Sequence, residues 1–596
     1  MKPPVWRDDH IYAAPDDPAI EAAFQEAARA LTRLDALLAD LPDPAHPVAD
    51  ANALRHLLRA IRREANGVKS LAWNSQVYGY NRLSQNGRDE EARVLLSRGQ
   101  QLEATLAQRS KPVDLFWVRA PESLVRTLLQ DPELFELAYH IHHDRAQQDQ
   151  WLSLESEQLI EGLAVDGLQG WGDLYDNLVG RLLPVVEGVP MGLAQADNLL
   201  AHPDRARRAS AWHAIQGAWE AEQETVAAIL NAINGWRNEI AAQRGKGRRL
   251  DALDLSCHQG HLERTTLDTL MAQAEAHKAL GRRALRAMAC AQGITDFAPW
   301  DLYAPAPYGA QAGFGFGQAL TLVADAFAAF DPEMGEFVRM MADRGWIDAA
   351  PSDNRRSGAY CTEYADPAEP RVFLTFEGTL DNVITLAHEL GHAWHSWLLR
   401  ELPLEQRDYP MTLAETASLF AETLVRDALL ARAQTREQRL TIAWMDGERV
   451  ASLLLDIPSR FHFERALVAG RAEGYLGAGQ LRAMMKSAKQ QWYGDSLSQY
   501  DELFWASKSH FSIAEFGFYN YPYLFGYLFS LGLYAQKERV GADFVPAYRA
   551  LLADTGRMSA ESLVEKHLGV DIREPAFWQE SLHQVEEAVE RLERLV

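Results

Sequence analysis

TLDNVITLAHELGHAWHSWLL, residues 379–399, has the spacing of a buried helix with a metal-binding motif inside it. Thr379 or Asp381 suits the helix start, where a side-chain oxygen caps free N–H groups. Val383, Ile384, Leu386, Ala387 and Leu390 recur at helical spacing and call for burial. Among them lies His388-Glu389-Leu390-Gly391-His392. Four residues turn a helix through about 400°, so both imidazoles project from one face, one turn apart. Such a pair can hold one Zn2+ at about 2.0–2.1 Å per nitrogen. Glu389, beside the first histidine, is then placed to take a proton from a water on that ion. The plain alternative is a surface helix with two histidines. The apolar run argues against it, because unpaired His and Glu are costly to bury.

A third ligand must come from elsewhere. His395 is only three residues after His392, too close for the extended HExxHxxGxxH pattern, and is expected in packing. MTLAETASLFAETLVRDALLA, residues 411–431, reads as the next helix. Glu415, Ser418 and Glu422 share one of its faces, and a buried carboxylate pair among small residues is natural beside a cation. Glu415 is therefore expected as the third ligand and Glu422 as its supporting carboxylate. Glu401, Glu405 and Asp408 fall in the intervening loop and are weaker choices.

Outward from the motif, RVFLTF (residues 371–376) is an apolar, β-branched run bounded by Pro370 and Gly378, and reads as a strand. Most of the rest is helical in pattern. Ile20–Leu41 and Glu90–Gln108 carry apolar residues three and four apart, with Asp16 or Asp17 as a cap for the first. Residues 152–183 read as helix, turn, helix, and a long helical stretch runs from Ala194 to about Gln243. EGVPMGL, residues 187–193, interrupts the pattern and is expected to separate an N-terminal helical lobe, 1–188, from a catalytic domain, 189–596.

With 596 residues, more than one core is expected. The net charge of -24 argues against nucleic acid or an anionic membrane as partner. Cys257, Cys290 and Cys361 form neither a disulfide framework nor a zinc ribbon, which fits a reducing cytoplasm. MKPPVWRDDHIY opens the chain without an apolar signal-like run. Phe516–Ala535 is 20 residues without a charge, yet five tyrosines, Asn520 and Pro522 make it a poor membrane span and a better buried helix with polar tips facing a cleft. Donors for a developing oxyanion are sought there: His510, Tyr519, Tyr521, Tyr523 and Tyr527.

HELGH, then AETAS with a further Glu seven residues after the first, then HF…FYNYPYLFGYLFS together resemble oligoendopeptidase F, a branch of the thimet-oligopeptidase-like zinc peptidases. SGAYC at 357–361 and SLESEQLIEGLAVDGLQGWGDLYDNL at 153–178 resemble the same branch. The resemblance covers the chain from about residue 110 onward. It implies a mainly α, two-lobed helical ellipsoid with a deep internal channel and a small β element beside one Zn2+. It implies hydrolysis of internal bonds in short peptides. His388, His392 and Glu415 match the family's zinc ligands, and Glu389 its general base. His510 and a tyrosine, Tyr523 before Tyr519 or Tyr527, match the groups supporting the tetrahedral intermediate. Residues 371–376, with Phe373, Thr375 and Gly378, would pair with the substrate backbone. Two rivals follow from the residues. A zinc carboxypeptidase would need an arginine for the free C-terminus, with Arg355, Arg356 and Arg460 as candidates. A non-catalytic peptide-binding helical protein would be expected to lack a ligand or the base, and here all four residues are present.

Overall fold

A computed structural model of the chain describes residues 2–44, 46, 50–307 and 313–596. The protein is mainly α-helical with little sheet. Local chemistry sets many helix ends. Asp17 accepts the N–H of Ala19 at the start of Pro18–Ala39, and Asp89 caps Glu90–Arg119. Thr379 caps Leu380–Leu399, with Asn382 closing a reciprocal capping box. The helix, turn, helix read over residues 152–183 is Leu154–Ala164 and Gly170–Val179 joined through a π-helical turn, Val165–Gln169. The stretch from Ala194 is broken at 199–204 before the 40-residue helix Arg205–Arg244.

Strands are few. β1 (Val185–Val186) and β2 (Val189–Pro190) form a hairpin across the Glu187–Leu193 break, with Glu187 and Gly188 at positive φ. β3 (Ile347–Asp348), β4 (Tyr360–Glu363) and β5 (Pro370–Phe373) form a three-stranded sheet in the order β3-β5-β4. β5 pairs parallel with β3 and antiparallel with β4. The strand expected over 371–376 is thus shorter, and residues 374–376 continue as extended chain bonded to Asp348 and Ala349.

Packing does not divide the chain at residue 188. One compact unit combines residues 1–158, 312–428 and 542–558; the other combines 159–311, 429–541 and 559–596. The physical reason lies in the N-terminal residues, which brace the first unit. Arg371, wholly buried, donates to Asp8 Oδ1 at 2.6 Å and Glu369 Oε2 at 3.0 Å, with its guanidinium over Trp346 and Tyr364. The Trp6 indole donates to the Trp346 carbonyl. Arg62 pairs with Glu405 at 2.8 Å. The first unit holds the sheet and the HELGH helix. The second holds the helix Tyr521–Val540, most of whose residues from Tyr521 to Leu533 are buried. Among the described residues no helix is long and apolar enough to cross a membrane.

Candidate metal centre and active site

Helix Leu380–Leu399 buries Val383, Ile384, Leu386, Ala387 and Leu390 as its spacing predicts. Gly391 lets the next helix approach. A Cβ there would lie 2.7 Å from the Ala417 carbonyl oxygen and 2.8 Å from the Ala421 side chain. The expected helix over 411–431 is two: Met411–Ala414 and Thr416–Arg432, with Glu415 at the break between them.

His388 Nε2 and His392 Nε2 are 3.1 Å apart, and Glu415 Oε2 lies 3.4 and 3.5 Å from them. Among the described residues this is the group of three arranged as metal ligands. Ligand edges in a tetrahedral site with bonds of about 2.0–2.1 Å run to about 3.3–3.4 Å, so the spacing suits one ion. Glu422 Oε1 lies 2.7 Å from His388 Nδ1. A carboxylate accepts, so Nδ1 carries a proton and Nε2 is the nitrogen that faces the centre. The Ser418 hydroxyl donates to Glu415 Oε2 at 2.7 Å. Glu389 is buried, and its Oε2 has no protein partner. An orphaned carboxylate oxygen beside two imidazoles and a carboxylate fits a bound cation and its water.

The electrostatics agree. Burial, with Glu415 and Glu422 adding repulsion, raises Glu389 to about 7, against the pull of His388. Burial alone would lower His388, but Glu422, Glu415 and Glu389 outweigh it and hold it at about 9, so a cation that binds Nε2 must displace a proton from it. Burial would raise Glu415 too, yet His392, His388 and Ser418 hold it below the usual carboxylate value.

Comparison with known proteins joins this geometry to a family. The family model described as peptidase family M3 matches residues 198–583. The chain belongs to peptidase family M3. A second model, described as oligopeptidase F, matches residues 117–182. The chromosomal oligoendopeptidase F of Lactococcus lactis subsp. cremoris is 26% identical over 70% of this chain and 68% of its own. The group B oligopeptidase PepB of Streptococcus agalactiae is 26% identical over 79% of this chain and 78% of its own. The crystal structure of oligoendopeptidase-F from Enterococcus faecium shares the fold, with a TM-score of 0.71 at 17% identity over 96% of this chain and 99% of that one. This M3 chain is accordingly a metal-dependent peptidase of the oligopeptidase type.

The other expected residues fall less uniformly. His395 is wholly buried, bonded to Thr555 and the Leu552 carbonyl and stacked on Tyr409, so it packs. Phe373 is wholly buried and stacked on Tyr360. β5 is central, with both edges taken by β3 and β4, so it offers no edge to a peptide. That corrects the expectation for Phe373 and the strand. Thr375 Oγ1 accepts from Arg355, and Gly378, at φ +87, gives its carbonyl to the Phe314 N–H. The outer edge of β4 is unpaired among the described residues. Sequence reasoning missed that edge, although SGAYC runs into it. Cys361 on β4 is pushed up by burial, and the Glu389 carboxylate adds to the rise, so the edge lies within electrostatic reach of Glu389.

In the second unit His510, Tyr519 and Tyr523 cluster. The His510 ring lies 5.1 Å from Tyr519 and 5.5 Å from Tyr523. Tyr527 is buried, and Tyr521 is buried with its hydroxyl on the Ser256 carbonyl.

Proposed function

We propose that the chain is a zinc endopeptidase of short, unstructured peptides. The observation that carries this is the converging set His388, His392 and Glu415 with the orphaned Glu389 carboxylate beside it. Two imidazoles and one carboxylate in this arrangement favour Zn2+. When bound, the ion polarises the scissile carbonyl and acidifies the attacking water. Glu422 keeps His388 in the tautomer that offers Nε2. Ser418 steadies Glu415. Glu389, its affinity for a proton raised by burial, takes one from the water and hands it to the leaving amine nitrogen. A peptide added antiparallel or parallel to the β4 edge would lie alongside Glu389, the mode expected of an exposed sheet edge.

Two of the three arginines that a carboxypeptidase could use are committed elsewhere, Arg355 to Asp348, Thr375 and the Leu374 carbonyl and Arg460 to Asp456, while Arg356 lies over the Tyr80 ring. Digestion of a peptide blocked at both ends separates the two readings. Two internal fragments in the mass spectrum are expected. Cleavage restricted to peptides with a free C-terminus, one residue at a time, would overturn the endopeptidase assignment.

A further inference from the structure

β4 and the helix Leu380–Leu399 belong to the same compact unit, and β4 shows different residues on its two faces. The Tyr360 and Thr362 hydroxyls each lie 3.2 Å from Asn81 Oδ1. Successive strand residues alternate in face, so Cys361 and Glu363 point the other way. That way lies the metal helix: the Glu389 charge reaches Cys361, and the Ser396 hydroxyl is within hydrogen-bonding reach of the Glu363 carboxyl.

The ladder adds a second pattern. The Tyr364 N–H donates to the Glu369 carbonyl, and bonded pairs recur every second residue, at Thr362 with Arg371 and Tyr360 with Phe373. The Val372 N–H turns instead to the Trp346 carbonyl, on the β3 side. Cys361 and Glu363 therefore aim their N–H and C=O groups at the open edge. The two residues whose backbones a peptide would pair with are the two whose side chains face the metal helix.

Glu363 is a carboxyl without an ion partner. It is only partly exposed, and burial raises it to about 7 against opposing pulls from Ser396 and Arg407. Among the described residues no cationic side chain forms a salt bridge with it. Arg407 donates to the Leu402 and Ala365 carbonyls instead. Tyr409 faces the same spot: its phenol is pushed up by burial and then by the Glu363 charge, and its ring is stacked on the buried His395 at 4.3 Å. Side chains opposite one another on paired strands share a face, and opposite charges there attract.

We propose that Glu363, with Ser396 and Tyr409 beside it, is a specificity-determining residue that takes the cationic side chain of a lysine or arginine in a peptide lying on the β4 edge. Ser396 comes seven residues after Glu389 on the same helix, about 10 Å along its axis. A strand covers that span in about three residues, which sets the distance of the basic residue from the cleaved bond. The peptide ligand rests on the proposed function.

The test uses end-blocked neutral peptides with lysine placed at each position in turn, each matched to a norleucine twin. kcat/KM is measured with the zinc-loaded full chain, and mass spectrometry locates the cleaved bond. One position is expected to favour lysine about tenfold, and in Glu363→Gln the ratio there is expected to fall to about one. A ratio near one at every position in the wild type, a preference spread evenly over all positions, or one kept in Glu363→Gln would overturn the proposal. A second measurement needs no catalysis. Calorimetry on Glu389→Gln, alone and combined with Glu363→Gln, compares the binding of each pair. Tighter binding of lysine at one position, lost with Glu363→Gln, in a chain whose wild type cleaves nothing would overturn the peptidase reading and leave the subsite standing. Equal binding of every pair, or no binding, would overturn the subsite whether or not peptides are cleaved.

Discussion

The HELGH helix and the loop around His510 reach functional order by opposite routes. In the first, the chemistry is local. Two histidines and a glutamate share one helix, and the remaining carboxylates, Glu415 at a helix break and Glu422 on the helix after it, follow 23 and 30 residues after His392. In the second, His510 is oriented by Asn520, and Asn520 by Arg460 and Glu464, with Arg237 holding the loop from a helix far earlier in the chain. A side chain that carries its own period announces itself. One that depends on remote charges does not.

The largest expected effect falls on the local side. Glu389→Gln should lower kcat about 10^3-fold while metal content stays at the wild-type level, since the amide keeps the shape but cannot carry the proton. Activity near wild type alongside full metal content would remove Glu389 from the mechanism. Next comes a non-local brace within the same unit. Glu405 is held down at about 2: burial opposes this, but Arg62 and Asn66 outweigh it. Its folded-state value lies below its unfolded one, so the stabilisation is present above about pH 4.3 and is lost as pH falls toward 2. Arg62→Met should cost at most about 3 kcal/mol at pH 7, the whole of the shift that Arg62 shares with Asn66, and flatten the acid limb of a denaturation series. An unchanged acid limb would mean the pair does not couple to folding.

Glu422→Ala removes the carboxylate that orients His388 and should weaken metal binding about 10- to 100-fold in a competition with a chelator dye. An unchanged affinity would show that His388 needs no orienting partner. The smallest effect tests the close approach of the two helices. Gly391→Ala puts a methyl group against the Ala417 carbonyl and should cost about 1–3 kcal/mol in urea denaturation. A neutral result would mean the helices part freely, and the glycine would no longer explain how Glu415 and Glu422 reach the histidines.

Legibility follows the same division. The helix Leu380–Leu399, its Thr379 cap and the triad with Glu415 could be read from spacing, because helical period and ligand geometry both act within a few turns. The break that places Glu415 between two helices was not legible, since its surroundings have no breaker residue. Nor was the central position of β5, because a run of apolar residues does not reveal how many neighbours a strand has. The expected boundary at 188 missed the role of Asp8, Trp6 and Arg62 in bracing the sheet and the loop after the metal helix, contacts that span some 340 to 360 positions. Tyr521 and Tyr523, two residues apart, are alike in residue type; the resemblance put Tyr523 first, and burial separates the core residue from the one that meets His510.

The central claim is that His388, His392 and Glu415 hold a zinc ion that peptide cleavage requires. The most direct measurement incubates the purified chain with an internally quenched, end-blocked peptide of about eight residues, before and after chelation, and then with one equivalent of Zn2+ restored. Cleavage at an internal bond, abolished by the chelator and recovered with zinc, is the predicted result. Cleavage that survives complete removal of metal would contradict it.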